Sequence, residues 1–108
     1  MADGTIYKIC TEEEWRDATA AGLLKGSPDD TRDGFIHLSA EDQVRGTLEK
    51  HFKDRTGLMI LTIDATRLLD GALRWEVSRG GALFPHLYGP LPVEAVIAAE
   101  PVERSSFA

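Results

Sequence analysis

Cysteine is nearly absent from the sequence, and so are long hydrophobic runs. The single cysteine, Cys10, cannot form an internal disulfide. The longest apolar runs, residues 57–63 and 95–99, have the length of strands, whereas a membrane-spanning helix needs about 20 residues. The N-terminal residues MADGTIYK contain no apolar run of the kind found in signal peptides. We therefore predict a reduced, cytoplasmic protein with no membrane partner.

Basic residues are also in short supply. The 12 Lys and Arg residues are outnumbered by 18 Asp and Glu residues, which gives a net charge of -6. Neutralising a nucleic-acid backbone requires the opposite sign of charge, so we predict no nucleic-acid partner. No glycine-rich segment has the spacing or the strand-to-helix context of a phosphate-binding loop, which argues against kinase chemistry.

The length and composition predict one domain with a modest core. A chain of 108 residues, 43% of them hydrophobic, can bury one core but not two. We expect a single domain over residues 1–108, with its core between about 5 and 102 and a frayed tail over 103–108. Apolar patterns predict strands at Thr5–Cys10, Gly34–Leu38, Leu58–Ile63, Leu73–Val77 and Ala95–Val102.

Capping signals predict two helices. Thr11 and Glu14 have the spacing of a capping box, which predicts a helix over Glu12–Ala21. Ser39 can cap a second helix over about Ala40–Phe52.

Two turn-rich segments separate the predicted elements. Residues 23–33 are predicted to form an exposed loop, and residues 83–90 a punctuated loop or sheet edge. Leu58–Ile63 is predicted to be a central strand because apolar residues occupy both of its faces. Five or six short strands with two helices bunched early predict an α+β fold with a mostly antiparallel sheet.

Several polar side chains fall where packing alone does not explain them. His37 interrupts an apolar strand, and a buried imidazole is costly unless it finds hydrogen-bond partners or the strand opens onto a cleft. Glu76 follows a tryptophan, and His86 and Tyr88 lie in a stiff, proline-flanked segment. Each has a structural alternative. For His37 it is a core histidine bonded to backbone or to Ser39, and for Glu76 an exposed carboxylate on a strand. For His86 it is an imidazole that stabilises a turn, and for Tyr88 a side chain that fills the edge of the core.

The same segments carry a family resemblance. In chain order they read IYKI at 6–9, GFIHLS at 34–39, RWE at 74–76 and FPHLYGPL at 84–91. In this order the sequence resembles the bacterial family known as domain of unknown function 952. The resemblance implies a fold similar to the ADP-ribosyltransferases, in which a split, curved sheet clasps a nicotinamide dinucleotide. NAD is thus the cofactor that the resemblance implies, while the residues themselves specify none and the family has no assigned reaction.

The resemblance also implies roles for individual residues. Glu76 corresponds to the late carboxylate that bonds the nicotinamide ribose in the wider transferase group, and His37 with Ser39 to the polar pair on the second strand. A carboxylate there stabilises the positive charge that develops on a ribose when an N-glycosidic bond breaks. His37 or His86 can exchange a proton near neutral pH. We therefore predict Glu76, His37 and His86 as catalytic residues.

A second set of residues is predicted to bind the ligand: Tyr7, Lys8, Ser39, Trp75 and Tyr88. Trp75 and Tyr88 can stack on a nicotinamide or an adenine face. Relatives often carry histidine after the tyrosine of the first strand, where this chain has Lys8 after Tyr7. Lys8 suits a phosphate as a point charge.

Three functions remain open at this point. The first is an enzyme similar to a glycosyl (ADP-ribosyl) transferase, which acts on a nicotinamide dinucleotide or another ribosyl compound. The second is a noncatalytic small-ligand or protein-binding module on the same fold. The third, a metal site made by His37, His86 and Glu76, is disfavoured because the two histidines lie far apart in the sequence, so we predict no metal. The oligomeric state is not determined by the sequence, and whether these three side chains share one cleft depends on the tertiary structure.

Overall fold

The computed structural model describes residues 4–69 and 71–102. Within these residues the chain forms three α-helices and eight strands. The helices are α1 Glu12–Ala21, α2 Pro28–Asp33 and α3 Val44–His51. The strands are β1 Thr5–Thr11, β2 Leu23–Leu24, β3 Ile36–His37, β4 Leu58–Asp64, β5 Leu73–Val77, β6 Leu83–Leu87, β7 Leu91–Pro92 and β8 Val96–Pro101. Every strand pair among these residues is antiparallel, so the predicted α+β class with antiparallel pairing is confirmed. The described residues form eight strands where five or six were predicted, and three helices where two were predicted.

The first helix begins and ends where the sequence predicts. The Thr11 hydroxyl accepts a hydrogen bond from the Glu14 N–H at 3.0 Å, and the Glu14 carboxylate accepts one from the Thr11 N–H at 2.8 Å. This reciprocal pair satisfies two of the N–H groups that a helix start leaves unbonded. Gly22 ends the helix at a φ of 89°, in the left-handed region that glycine adopts without strain.

The larger sheet has the strand order β1-β4-β8. Thr5 pairs with Asp64 and Thr11 with Leu58, so β1 runs antiparallel along the whole length of β4. The central position predicted for β4 is confirmed. The pairing of β4 with β8 shifts register between Thr62 and Ile63.

The second sheet has the order β3-β6-β5, which corrects the prediction that residues 83–90 form a loop or an edge. Proline within a central strand normally costs a ladder hydrogen bond. Pro85 leaves the pairing with β5 intact, because positions 84 and 86 are the hydrogen-bonded ones of that pair; on its other side the Pro85 carbonyl accepts a hydrogen bond from the Leu38 N–H at 3.0 Å. A third, two-stranded sheet joins β2 to β7.

The turn-rich segment 23–33 also differs from its prediction, because it contains β2 and the helix α2. Ser27 and Asp30 form a second capping box, in which the Asp30 N–H donates to the Ser27 hydroxyl and the Ser27 N–H to the Asp30 carboxylate. Pro28 occupies the first helical position, where a missing N–H is harmless. The turn-forming residues that predicted a loop, Ser27 and Pro28 among them, therefore begin a helix.

The second predicted helix starts later than expected. A 3₁₀ turn at Glu41–Gln43 precedes α3, and Ser39 does not cap it. The Ser39 hydroxyl instead hydrogen-bonds the Thr47 hydroxyl at 3.1 Å. Ser39 and Tyr7 exchange two backbone hydrogen bonds of 2.8 Å, which fasten the end of β3 to the larger sheet.

The core fills the space between the sheets and α1. Its largest fully buried members include Ile6, Leu61, Ile63, Leu87 and Leu91. None of the helices in the described residues is long and apolar enough to cross a membrane. The predicted frayed tail, 103–108, lies outside the described residues.

Candidate functional site

Three neighbouring strands bring the predicted catalytic side chains onto one face of the second sheet. His37 on β3 lies directly opposite His86 on β6, and His86 lies directly opposite Arg74 on β5. Because side chains alternate along a strand, Glu76 lies on the same face as Arg74. The ring centroids of His37 and His86 are 5.7 Å apart. We call this the site face.

His86 is held by a carboxylate. Its Nδ1 lies 2.8 Å from Oε1 of Glu76, and the same oxygen accepts a hydrogen bond of 2.7 Å from the Tyr88 hydroxyl. The hydrogen bonds from His86 and then from Tyr88 lower the pKa of Glu76. The bond donated to Glu76 raises the pKa of Tyr88. With an ionised Glu76 as acceptor, Nδ1 of His86 carries the proton and Nε2 is left as the basic nitrogen of the neutral ring.

Aromatic contacts fix the orientation of the same ring. Phe35 stacks on His86 with 4.1 Å between ring centroids and an angle of 23° between the planes. Phe35 also contacts the ring of Tyr88, at 5.3 Å, and the Arg74 guanidinium lies 4.8 Å from the Tyr88 ring centroid. His86 is buried and is bonded at one nitrogen, so its rotation is restrained on several sides.

Asp30 forms a second polar centre, almost completely buried. Its Oδ2 accepts hydrogen bonds from the Lys8 ammonium at 2.8 Å and the Ser27 N–H at 2.9 Å. Its Oδ1 accepts from the His37 N–H at 3.1 Å and lies 2.6 Å from Nδ1 of His37. Burial alone would raise the pKa of Asp30, but the His37 hydrogen bond and the charge and hydrogen bond of Lys8 outweigh it and hold that pKa well below its ordinary value. Asp30 therefore stays ionised and ties α2 to β1 and β3.

His37 is bonded at both ring nitrogens. Its Nε2 lies 2.9 Å from Oδ2 of Asp33, opposite the contact with Asp30. Only the protonated ring carries N–H groups on both nitrogens, so the arrangement suits an imidazolium between two carboxylates. Arg32 in turn contacts Asp33 and Asp29, each at 3.2 Å.

A cleft of about 400 Å³ opens between these two centres. All three histidines of the chain line it, together with Lys8, Ser39 and residues of α2. Every buried side-chain nitrogen or oxygen in the described part of the chain has a hydrogen-bond partner. Nε2 of His86 has no hydrogen-bond partner among those residues, so it is not one of the buried atoms, and His86 lines the cleft.

The structure brings together six of the eight predicted site residues. His37, His86, Lys8 and Ser39 line the cleft, and Glu76 and Tyr88 bond or support His86 from the side. The charge of Lys8 is already neutralised by Asp30, and the ring of His37 by two aspartates.

Trp75 and Tyr7 do not reach the cleft. Trp75 alternates with Arg74 and Glu76, so its side chain leaves the opposite face of β5, where it is 45% exposed. Tyr7 packs instead against the apolar cluster under α3. The stacking role predicted for Trp75 is incompatible with this placement.

Sequence reasoning missed Asp30, Asp33 and Phe35. A signal for Asp30 was present, because Ser27 followed by an acidic residue three positions on is a capping box that places the carboxylate at a helix start. Phe35 belongs to the GFIHLS motif but was given no role. Among the described residues no group of three or more His, Cys, Asp or Glu side chains is arranged to hold a metal ion.

The comparison with protein families gives a clear result. The family described as protein of unknown function (DUF952) matches residues 9–99 of the chain. The chain belongs to this family. No curated protein matches the sequence.

Solved structures of one protein are similar to this chain over most of its length. A crystal structure of protein CC0527 from Caulobacter crescentus has a TM-score of 0.86 and 45% identity, over 92% of this chain and 86% of that one. A solution NMR structure of CC0527 gives a TM-score of 0.81 at 45% identity, over 95% of this chain and 86% of that one. Neither name states an activity or mentions an ADP-ribosyltransferase, so that finer likeness stays a prediction.

Proposed function

We propose that the cleft binds a small polar ligand and that Nε2 of His86 exchanges a proton with it. The observation that carries this proposal is the His86 ring itself: one nitrogen is held by Glu76 and the other opens onto a cleft of about 400 Å³. Cavities of about 300–1,000 Å³ are typical of small-ligand sites.

The geometry around His86 suits a general base. A neutral imidazole with its proton on Nδ1 accepts a proton at Nε2, and the resulting cation is stabilised by the Glu76 carboxylate 2.8 Å from Nδ1. Glu76 is then a positioning residue that fixes the tautomer. Tyr88 keeps the carboxylate in place through its 2.7 Å hydrogen bond.

The charges in the cleft disfavour an anionic ligand. Lys8 pairs with Asp30, and Arg32 with Asp29 and Asp33, so these cations are already neutralised. A pyrophosphate would compete with those carboxylates, and the cleft volume lies toward the lower end of the usual range. We therefore favour a nucleoside-sized ribosyl compound over an intact NAD molecule.

The test is an NMR titration of the histidine ring nitrogens. We expect nicotinamide riboside, at millimolar concentration, to shift the Nε2 resonance of His86, and NAD or ADP-ribose to do so more weakly. Glu76→Gln should reduce the shift, whereas Glu100→Gln, on an exposed position of β8, should not. The proposal is wrong if none of these ligands, nor free ribose, perturbs His86.

One observation favours the noncatalytic alternative. His37 and Lys8 are fully engaged by aspartates, which leaves His86 as the single predicted catalytic histidine with an open nitrogen. Release of nicotinamide from the riboside, measured by chromatography and lost in His86→Gln, would identify an enzyme. Binding without release would identify a binding module.

A further inference from the structure

The outer edge of β5 is unpaired among the described residues, since β5 lies at the end of the order β3-β6-β5. Two backbone hydrogen bonds fix which groups face outward: Tyr88 N–H to Ala72 O at 2.8 Å and Ser78 N–H to Ala82 O at 2.9 Å. Hydrogen-bonded positions alternate along an antiparallel pair. The backbone N–H and C=O groups of residues 74 and 76 therefore bond β6, and those of Leu73, Trp75 and Val77 point outward.

Exposed apolar side chains lie beside this edge. Trp75 is 45% exposed, Val77 70% and Leu83 51%, and Val77 pairs with Leu83 across the hairpin. These side chains leave the face opposite to the site face. Large apolar groups that cluster in the open mark an interaction surface.

The sequence of β5, Leu-Arg-Trp-Glu-Val, is complementary to itself. If a second copy pairs antiparallel about Trp75, Arg74 of one chain lies opposite Glu76 of the other, twice in the same interface. Residues 74 and 76 then occupy the non-hydrogen-bonded positions, where opposite side chains approach most closely. Leu73, Trp75 and Val77 become the hydrogen-bonded positions. The same register therefore pairs the outward backbone groups and places opposite charges next to each other.

The edge strand β8 of the larger sheet lacks these properties. Its pairing with β4 shifts register at Thr62 and Ile63, and the strand ends in Glu100 and Pro101. Bulges, charges and proline are the features that protect an edge from pairing. Strand β5 has no proline and no register shift.

We propose that two copies of this chain associate through β5, antiparallel and with the two-fold axis at Trp75. The second sheets then join into one continuous sheet, and the two Trp75 rings meet on its apolar face. Because the strand has five residues, the dimer is of the weak, reversible class.

The partner subunit reaches the site in this arrangement. Oε1 of Glu76 accepts the bonds from His86 and Tyr88, and Oε2 receives none from the described residues. The guanidinium of the partner's Arg74 would lie beside that second oxygen. Self-association would thus add a cation behind the Glu76–His86 pair.

Sedimentation equilibrium over a range of concentrations tests the proposal. We expect the wild type to dimerise, and Arg74→Glu or Glu76→Arg alone to raise the dissociation constant about tenfold or more, because each places like charges opposite each other twice. An equimolar mixture of the two variants should dimerise again, because every 74–76 contact between them pairs opposite charges. The control is Arg16→Glu, which makes the same reversal of charge as Arg74→Glu at an exposed position of α1. This variant should dimerise like the wild type.

The mixing experiment separates the interface from misfolding and from the function of the cleft. A misfolded variant cannot be rescued by another, and no ligand is needed for the measurement. A monomeric wild type at high protein concentration, or a mixture that stays monomeric, would overturn the proposal.

Discussion

Asp30 shows how much one residue organises in a chain this small. The carboxylate is buried, yet four donors surround it: the Lys8 ammonium, the Ser27 N–H, and the backbone and ring of His37. A buried charge is tolerated only when it is paired and hydrogen-bonded. Asp30 therefore fixes the position of α2 relative to both sheets, and with it one wall of the cleft.

Replacing this carboxylate should destabilise the fold strongly. Asp30→Asn leaves Lys8 buried without a counter-charge, for which we expect a loss of about 3 kcal/mol in the free energy of unfolding. Urea denaturation measures it. Asp29→Asn, one position earlier and well exposed, should change stability by less than about 0.5 kcal/mol. Equal losses of stability in Asp30→Asn and Asp29→Asn would contradict the role of Asp30 as the buried counter-charge of Lys8.

The pH dependence of stability should follow from the same residue. The folded pKa of Asp30 lies below its ordinary value of 3.8, so the unfolded chain takes up a proton first as the pH falls. Its contribution is complete above about pH 5 and is lost as the pH falls from there toward the folded pKa. Stability measured by urea denaturation should drop between about pH 5 and 2.5, with a shallower slope in Asp30→Asn. An unchanged slope in the variant would show that other carboxylates dominate.

At the scale of elements, the start of α2 depends on a close approach of backbone to side chain. Gly26 has a φ of 107°, and a Cβ there would lie 2.8 Å from the Cβ of Asp30. Gly22, at a φ of 89°, has no neighbour within 4 Å of such a Cβ. A side chain at position 22 would therefore cause backbone strain alone, whereas one at position 26 would cause backbone strain and also a clash with Asp30.

Alanine at these two positions should have unequal effects. Gly22→Ala should cost about 1 kcal/mol, the usual penalty for a left-handed residue with a side chain. Gly26→Ala should cost at least about 2 kcal/mol, because it also displaces Asp30 from Lys8 and His37. Thermal unfolding measures both, and the ring signals of His37 should move only in Gly26→Ala. Equal losses of stability would argue against a tight contact at Gly26.

At the scale of the whole molecule, Cys10 reports on the opening of the core. The thiol is buried in the cluster that joins the larger sheet to α1 and β7. Burial, followed by the charge of Glu14, raises its pKa to about 12. Both effects suppress the thiolate, which is the reactive form.

Cys10 should consequently react with a disulfide reagent only when the fold opens. At mildly alkaline pH we expect the native protein to react roughly a hundredfold or more slowly than the protein in strong urea. Thr19→Cys adds an exposed thiol on α1 and should react at once with one equivalent. Rapid labelling of the native wild type would show that the core near β1 opens locally.

Local interactions explain what the sequence predicted well. The start and end of α1 depend on Thr11, Glu14 and Gly22, which lie within about three turns of each other. The central place of β4 follows from its own apolar faces. His37 was found because a polar side chain in an apolar strand is costly wherever the strand lies. Glu76 and His86 were found because their segments carry the family resemblance.

Strand pairing and side-chain partners were decided only in the tertiary structure. The sequence by itself determined an acidic α+β chain, its main strands and first helix, and which polar residues needed an explanation. It did not determine that His37 faces Asp30 and Asp33, because this depends on where α2 packs against β3. Nor did it determine that β6 is central despite Pro85, because this depends on which strands pair with β6. The scarcity of cysteine and of basic residues argued against a disulfide-rich or a nucleic-acid-binding protein. Contacts distant in sequence created the cleft, because a histidine acquires its chemistry from the carboxylate placed beside it.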